Sequence, residues 1–263
     1  MLRWHRVNAL LFRHLYLYRR SLPRLMDIFY WPVMELLLWG FISLYLEKFK
    51  FTTFNIVTVL LGAVIFWDFL SQSQRAVSIA FLEDVWERNF LNLFVTPLLV
   101  SEFLASTILL GLVRVIFVSI VMGILAFVFY TFNILQFGIY LIPFIANLLI
   151  FGWILGLFTT GIILRYGTSA QVLAFGFILL LQPFSAVFYP VSALPHGLQY
   201  VSYILPSTHV FEGMRSVISN GVFPLSEFGI GLLLNLIYTI LVLFYFYRMF
   251  ARVKEKGRLM KLD

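Results

Sequence analysis

Glu35, Asp68 and Arg114 are ionisable residues set inside long apolar windows of the sequence. A charge at mid-bilayer costs about 2.5–3.5 kcal/mol or more unless it is paired or solvated, so each needs a partner. Measured from the basic ends of their windows, the two acids lie roughly 10 Å deep and the arginine roughly 16 Å. That similar depth on three consecutive segments predicts a cluster of Arg114 with one or both acids. Two chemistries are open to it: an ion pair that locks helices together, or a proton or substrate site. The other polar residues do not assemble a catalytic centre. His5, His14, His196 and His209 lie outside the windows, form no i, i+4 pair and have no cysteine beside them, which disfavours a metal site. No Ser-His-Asp or paired-carboxylate arrangement can be argued. The Gly-x-x-x-x-Gly-Lys-Ser/Thr phosphate loop is missing from the sequence. The expectation is a chain that is not an enzyme and carries no catalytic residue, cofactor or metal of its own.

The elements that position these residues follow from composition. Of 263 residues, 62% are hydrophobic and 12% charged, against about 45–50% and about 25% in an ordinary soluble domain. Mean hydropathy is +0.96. Such a surplus cannot be hidden in one soluble core, so the fold class is an all-α integral membrane protein. A disulfide scaffold is excluded by the lack of cysteine, and a disordered chain by the apolar content. The net charge of +7 does not point to a nucleic-acid partner, because the basic residues sit where a bilayer-embedded chain places them. Six windows of span length are expected at residues 27–46, 54–73, 103–130, 137–164, 170–189 and 228–250, forming one transmembrane domain over 1–263. The N-terminus shows no signal-peptide pattern. Arg3, Arg6, Arg13, Arg19, Arg20 and Arg24 precede the first window. Arg248, Arg252, Lys254, Lys256, Arg258 and Lys261 follow the last, and Arg75, Arg88 and Arg165 fall on the same side. Lys48, Lys50 and Arg215 oppose them. This bias puts both termini in the cytoplasm and anionic lipid against the basic face.

Three segments lie between or before the windows. In residues 1–24, Trp4, Val7, Leu11, Leu15, Tyr18 and Leu22 follow helical spacing on one face, while Arg6, Arg13 and Arg20 recur every seven residues on the other. That predicts an amphipathic helix in the interface plane, serving as an anchor or also touching a cytoplasmic partner. Residues 75–102 carry Glu83, Asp84, Trp86, Glu87, Arg88 and Asn89, with Leu82, Trp86, Phe90 and Leu93 along one helical face. A short cytoplasmic helix is expected there, either simple packing or a coupling element pressed into a soluble subunit. Residues 190–227 are cut by Pro195, Pro206, Gly213, Gly221 and Pro224 into two short helices on the outer side, with Glu212 and Arg215 at i, i+3. Gly152 and Gly156 form a GxxxG pattern that permits close helix packing. Pro143 and Pro183 are candidate kinks.

This layout resembles the membrane subunits of type-2 ATP-binding cassette (ABC) exporters over nearly the whole chain. Its most specific stretches are EDVWERNFLNLFVTPLLVSE at 83–102 and LPSTHVFEGMRSVISN at 205–220, and SLPRLMDIFYWPVMELLLWGF at 21–41 is similar to first spans of the drug-type and nodulation-type branch. Asn89 stands where the family often has glycine. The resemblance implies a homodimeric permease whose ATPase-coupling residues are Glu83, Asp84, Trp86, Glu87, Arg88 and Asn89, with Glu212 and Arg215 on outer gate helices. Two copies of a separate ATP-binding subunit, holding ATP and Mg, would drive export of a drug, lipid or glycolipid across a bacterial inner membrane. The alternative is a proton-coupled secondary transporter that works without an ATPase through Glu35, Asp68 and Arg114.

Overall fold

Inside hydrocarbon every backbone N–H and C=O must be satisfied within its own segment, so long apolar runs can only be helices. The computed structural model describes residues 3–48, 56–87 and 89–255, and among them there is no β-strand. The helices are α1 (Trp4–Arg20), α2 (Leu22–Glu47), α3 (Ile56–Trp86), α4 (Phe90–Val95), α5 (Val100–Tyr130), α6 (Leu141–Tyr166), α7 (Val172–Leu181), α8 (His196–Tyr203), α9 (Pro206–Asn220) and α10 (Leu225–Glu255). Among the described residues, five are long and apolar enough to cross a membrane: α2, α3, α5, α6 with its lead-in turn, and α10. The shorter apolar segment Val172–Ser185 occupies the place of the fifth window.

Two departures from the expected boundaries have physical causes. The window at 170–189 yields an α-helix of only 10 residues, about 15 Å long. Pro183 has no N–H to donate, the chain tightens into a 3-10 turn at Gln182–Ser185, and Ala186 adopts a left-handed conformation (φ 51°). Pro143, by contrast, sits in the first turn of α6, where its missing N–H costs nothing, and produces no break. The second departure is α3, which continues well past residue 73 to Trp86 without interruption. The separate cytoplasmic helix expected within 75–102 is therefore only the six residues of α4. Leu82 and Trp86 lie on α3, not on one face with Leu93. At 31 residues, α3 is about 46 Å long, some 16 Å more than the hydrocarbon is thick. The surplus is its polar end.

The central helix is α3. Residues Leu60 to Gln74 are buried without exception, and α2, α5, α6 and α7 surround it. Small residues make this approach possible. A Cβ on Gly152 of α6 would lie 2.6 Å from the carbonyl oxygen of Leu70, and one on Gly156 would lie 2.8 Å from that of Gln74. The GxxxG pattern is thus used within the chain, against the α3 backbone. Ser73 on α3 donates to the carbonyl of Phe69 (2.8 Å), and Gln74 donates to that of Ala174 on α7 (3.2 Å). α8 and α9 form a short pair, and Asn235 of α10 donates to the carbonyl of Asn147 on α6 (3.0 Å).

Because the α3–α6 seam has no room for a side chain, Gly152→Leu and Gly156→Leu are each expected to destabilise by about 1–3 kcal/mol. Gly176→Leu on α7, whose Cβ would meet nothing within 4 Å, is the control and should leave thermal stability in detergent unchanged.

Candidate functional site

The densest charge cluster lies where α1 and the first turn of α2 cross the polar end of α3. Glu83 and Asp84 are 8% and 1% exposed. A buried carboxylate is tolerable only with a cation or several donors against it. Arg13 of α1 pairs with Asp84 (Nη2 to Oδ1, 2.6 Å) and also reaches Glu87 (3.5 Å). Arg24 of α2 pairs with Glu83 (Nε to Oε1, 3.1 Å) and with Glu87. At the other end of α1, Arg6 pairs with the fully buried Glu102 (3.4 Å) and donates to the carbonyl of Pro97. Glu102 also accepts the backbone N–H groups of Arg3 (3.0 Å) and Leu99 (2.9 Å), so it caps α5 and holds the start of α1 together.

The polar face expected on α1 is therefore divided. Arg6 and Arg13 turn inward to acids, while Arg20 stays exposed. The buried stripe is Val7, Leu10, His14 and Tyr18, whereas Trp4, Phe12 and Tyr16 face outward. His14, unassigned from sequence, lies inside this layer, with Nδ1 2.9 Å from the carbonyl of Leu10 and Nε2 3.8 Å from Asp84 Oδ2. Burial holds its imidazole below the ordinary value. Burial raises the Tyr18 phenol, against the pull of the Arg114 charge.

Arg114 departs from its expected place. Its guanidinium sits over the Tyr18 ring, 5.0 Å from the centroid, and it is 5% exposed. It faces α1 from α5 and stacks there instead of pairing with the intramembrane acids. Asp68 finds its partner on its own helix: Arg75 Nη2 lies 3.7 Å from Oδ1, and Gln72 bridges Asp68 to the carbonyl of Ile28 on α2. Glu35 on α2 is partly buried and feels the same Arg75 charge. The intramembrane cluster is thus Glu35, Asp68 and Arg75. Sequence reasoning left Arg75 outside the bilayer because it placed the end of the second span at residue 73. The i, i+7 spacing from Asp68, which puts both on one helical face, was the available signal.

At the end of α3, Trp86 is 47% exposed, and its indole N–H donates to Gln171 in the turn between α6 and α7 (3.2 Å). Asn89 accepts from Asn92 of α4 (3.4 Å), and Arg88 lies outside the described residues. Phe94 anchors α4 against Phe103 of α5 and Phe250 of α10, with ring centroids 6.0 and 5.1 Å away. On α9, Glu212 and Arg215 pair at 3.0 Å, and both also hold the unwound chain after α7. Arg215 donates to the carbonyl of Ala186 (2.8 Å) and Glu212 accepts the N–H of Val191 (2.7 Å). Beside them a cavity of about 500 Å³ is lined by Leu46, Leu60, Phe188, Pro190, Ile218 and Arg215.

Removing Arg13 strands a buried carboxylate. Arg13→Ala is expected to cost about 1.5–3 kcal/mol, read as a lowered denaturation midpoint, with little change for the exposed Arg20→Ala. For the membrane cluster, Asp68→Arg alone places two guanidinium groups together and should abolish assembly. Combining it with Arg75→Asp should restore a monodisperse protein by size-exclusion chromatography.

Comparison with known families matches residues 7–219, from α1 through most of α9, to the ABC-2 type transporter family. No curated protein matches the chain significantly. The match takes in Arg13 of α1, the long central α3 with its acidic end, and the α8–α9 pair. The chain is a multi-pass, all-α membrane component of an ABC-type transporter and belongs to the ABC-2 type transporter family.

Proposed function

We propose that this chain is the permease of an ATP-driven exporter, working as a homodimer with two copies of a separate ATP-binding subunit. The observation that carries this reading is the cytoplasmic end of α3. It ends in a half-exposed Trp86 tied to Gln171, directly beside buried acids that are paired to α1 and α2. An exposed tryptophan rigidly backed by ion pairs suits a docking anchor, since buried aromatic anchors dominate protein interfaces. Trp86, Glu87 and Asn89 would meet the partner, together with Arg88. Glu83 and Asp84 would instead join that contact to α2 and α1. ATP and Mg belong to the partner, in keeping with the missing phosphate loop.

The basic bias of the sequence supports both termini facing the cytoplasm of a bacterial inner membrane. The apolar cavity at the outer end, with Arg215 as its one charged lining residue among the described residues, favours an amphipathic or hydrophobic cargo such as a drug, lipid or glycolipid. A relay through Glu35, Asp68 and Arg114 is less well supported, because Arg114 is directed to Tyr18 and not to Asp68.

Trp86→Ala is expected to weaken binding of the ATP-binding subunit to the permease in nanodiscs by about 30-fold, the loss of about 2 kcal/mol typical of an interface anchor. Transport should fall in parallel, while the folded permease is recovered in normal yield. Undiminished affinity would move the docking surface elsewhere.

A further inference from the structure

His14 of α1 is 2% exposed and Asp84 of α3 is 1% exposed, and they face each other across the α1–α3 contact. Nδ1 of the ring lies 2.9 Å from the carbonyl oxygen of Leu10. A carbonyl only accepts, so Nδ1 carries the hydrogen. In the neutral ring Nε2 then presents a lone pair to Asp84 Oδ2, 3.8 Å away, and no protein donor reaches either atom. Two buried acceptors that oppose one another are an unfavourable contact. One proton on Nε2 converts it into a charge-assisted hydrogen bond once the atoms close by about 1 Å.

The surrounding charges decide what that proton does. On its own helix His14 has Arg13 and the Tyr18 phenol. From α2 comes Arg24, from α3 and the turn after it Glu83, Asp84 and Glu87, and from α5 Arg114. Asp27 of α2 adds a fourth carboxylate beside Tyr18. A proton on the ring places a further charge in a buried layer. Burial opposes that charge most. Asp84 and the Leu10 carbonyl favour it, and Arg13 and Arg114 oppose it further.

We propose that His14 and Asp84 form a proton-binding site that sets whether α1 is held against α3. The docked helix keeps the ring neutral; undocked, the ring is in water and free to charge. Docking therefore binds the proton less well than release does. The α1 contact is at full strength above the ordinary imidazole value of about 6.5 and weakens as pH falls from there toward the depressed value of the docked ring. Asp84 shifts part of its interaction from Arg13 to the imidazolium, and the Arg13 tie loosens. The site would make the seating of α1, and with it the surface around the end of α3, responsive to mild acid. It does not depend on a partner ATPase, so its test needs only this chain.

The sequence has no cysteine, so spin labels attach only where cysteines are introduced. Labels on the exposed Tyr16 of α1 and Val95, at the end of α4, report the seating of α1 in the full chain in nanodiscs. Between pH 7.5 and 5.5 the undocked fraction is expected to rise, by up to about tenfold per pH unit within the titration window. In His14→Gln, which cannot charge, it should stay flat. A pH-independent fraction in the parent, or an equal rise in His14→Gln, overturns the proposal. Should that variant not fold, histidine NMR of the parent decides the matter. A neutral Nδ1–H ring at pH 7.5 that takes up its proton below the ordinary imidazole range supports the site. A ring already charged at pH 7.5, or one protonated on Nε2, overturns it.

Discussion

A carboxylate cannot stand alone in a low-dielectric interior, and the most buried helix of this protein carries three: Asp68, Glu83 and Asp84. Much of the arrangement of the N-terminal half answers that constraint. Asp68 is met from within α3 by Arg75 and Gln72. Glu83 is met by Arg24 at the start of α2, and Asp84 by Arg13 of α1. Hydrophobicity alone would leave α1 free to rotate at the membrane surface, as amphipathic helices do. The acids fix which of its faces turns inward, because only one rotation brings Arg6, Arg13 and His14 to Glu102 and Asp84 together.

The outer end solves a different problem with the same chemistry. Breaking α7 after Leu181 frees backbone groups at membrane depth, where no water satisfies them. The side chains of α9 take them up: Arg215 covers the carbonyl of Ala186, Thr208 that of Phe184 (3.3 Å), Glu212 the N–H of Val191, and Ser207 meets Ser185 (2.9 Å). Spacing alone indicated a pair between Glu212 and Arg215. The structure adds that this pair is the scaffold of a discontinuous helix, which explains why two opposite charges lie beside an otherwise apolar cavity.

What the sequence reveals and what it hides follow the same division. Apolar windows mark the bundle, its outer helix pair and the surface position of α1, because burial in lipid leaves a compositional trace. The end of α3 escapes such counting. Residues 75–86 read as the start of a separate cytoplasmic helix, yet they continue α3, and Glu83 and Asp84 are buried against α2 and α1 instead of being solvated. His14 is hidden for a related reason. A stripe drawn through apolar residues passes along Leu11 and Leu15, while the real contact stripe runs through Val7, Leu10, His14 and Tyr18. Arg114 shows that depth alone cannot name a partner. Its helix turns it toward α1, and the Tyr18 ring replaces a carboxylate.

The two seams of α3 differ in kind, and that difference has mechanical consequences. Against α6, the contact is backbone on glycine, with Gly152 and Gly156 leaving no space to slide. Close-packed contacts of this sort have one geometry and lose attraction steeply when separated. Against α1 and the first turn of α2, the polar end of α3 makes a set of ion pairs in which Glu87 is shared between Arg13 and Arg24, while the rest of α2 packs through apolar residues such as Ile28 and Leu36. Shared pairs can exchange partners, so this seam has neighbouring arrangements of similar energy. A force applied at Trp86 therefore meets a stiff rod, α3 with α6, on one side and an adjustable hinge, α1 on α3, on the other. The charge layer thus helps orient α1, which also packs along α5, and its shared pairs leave it room to rearrange.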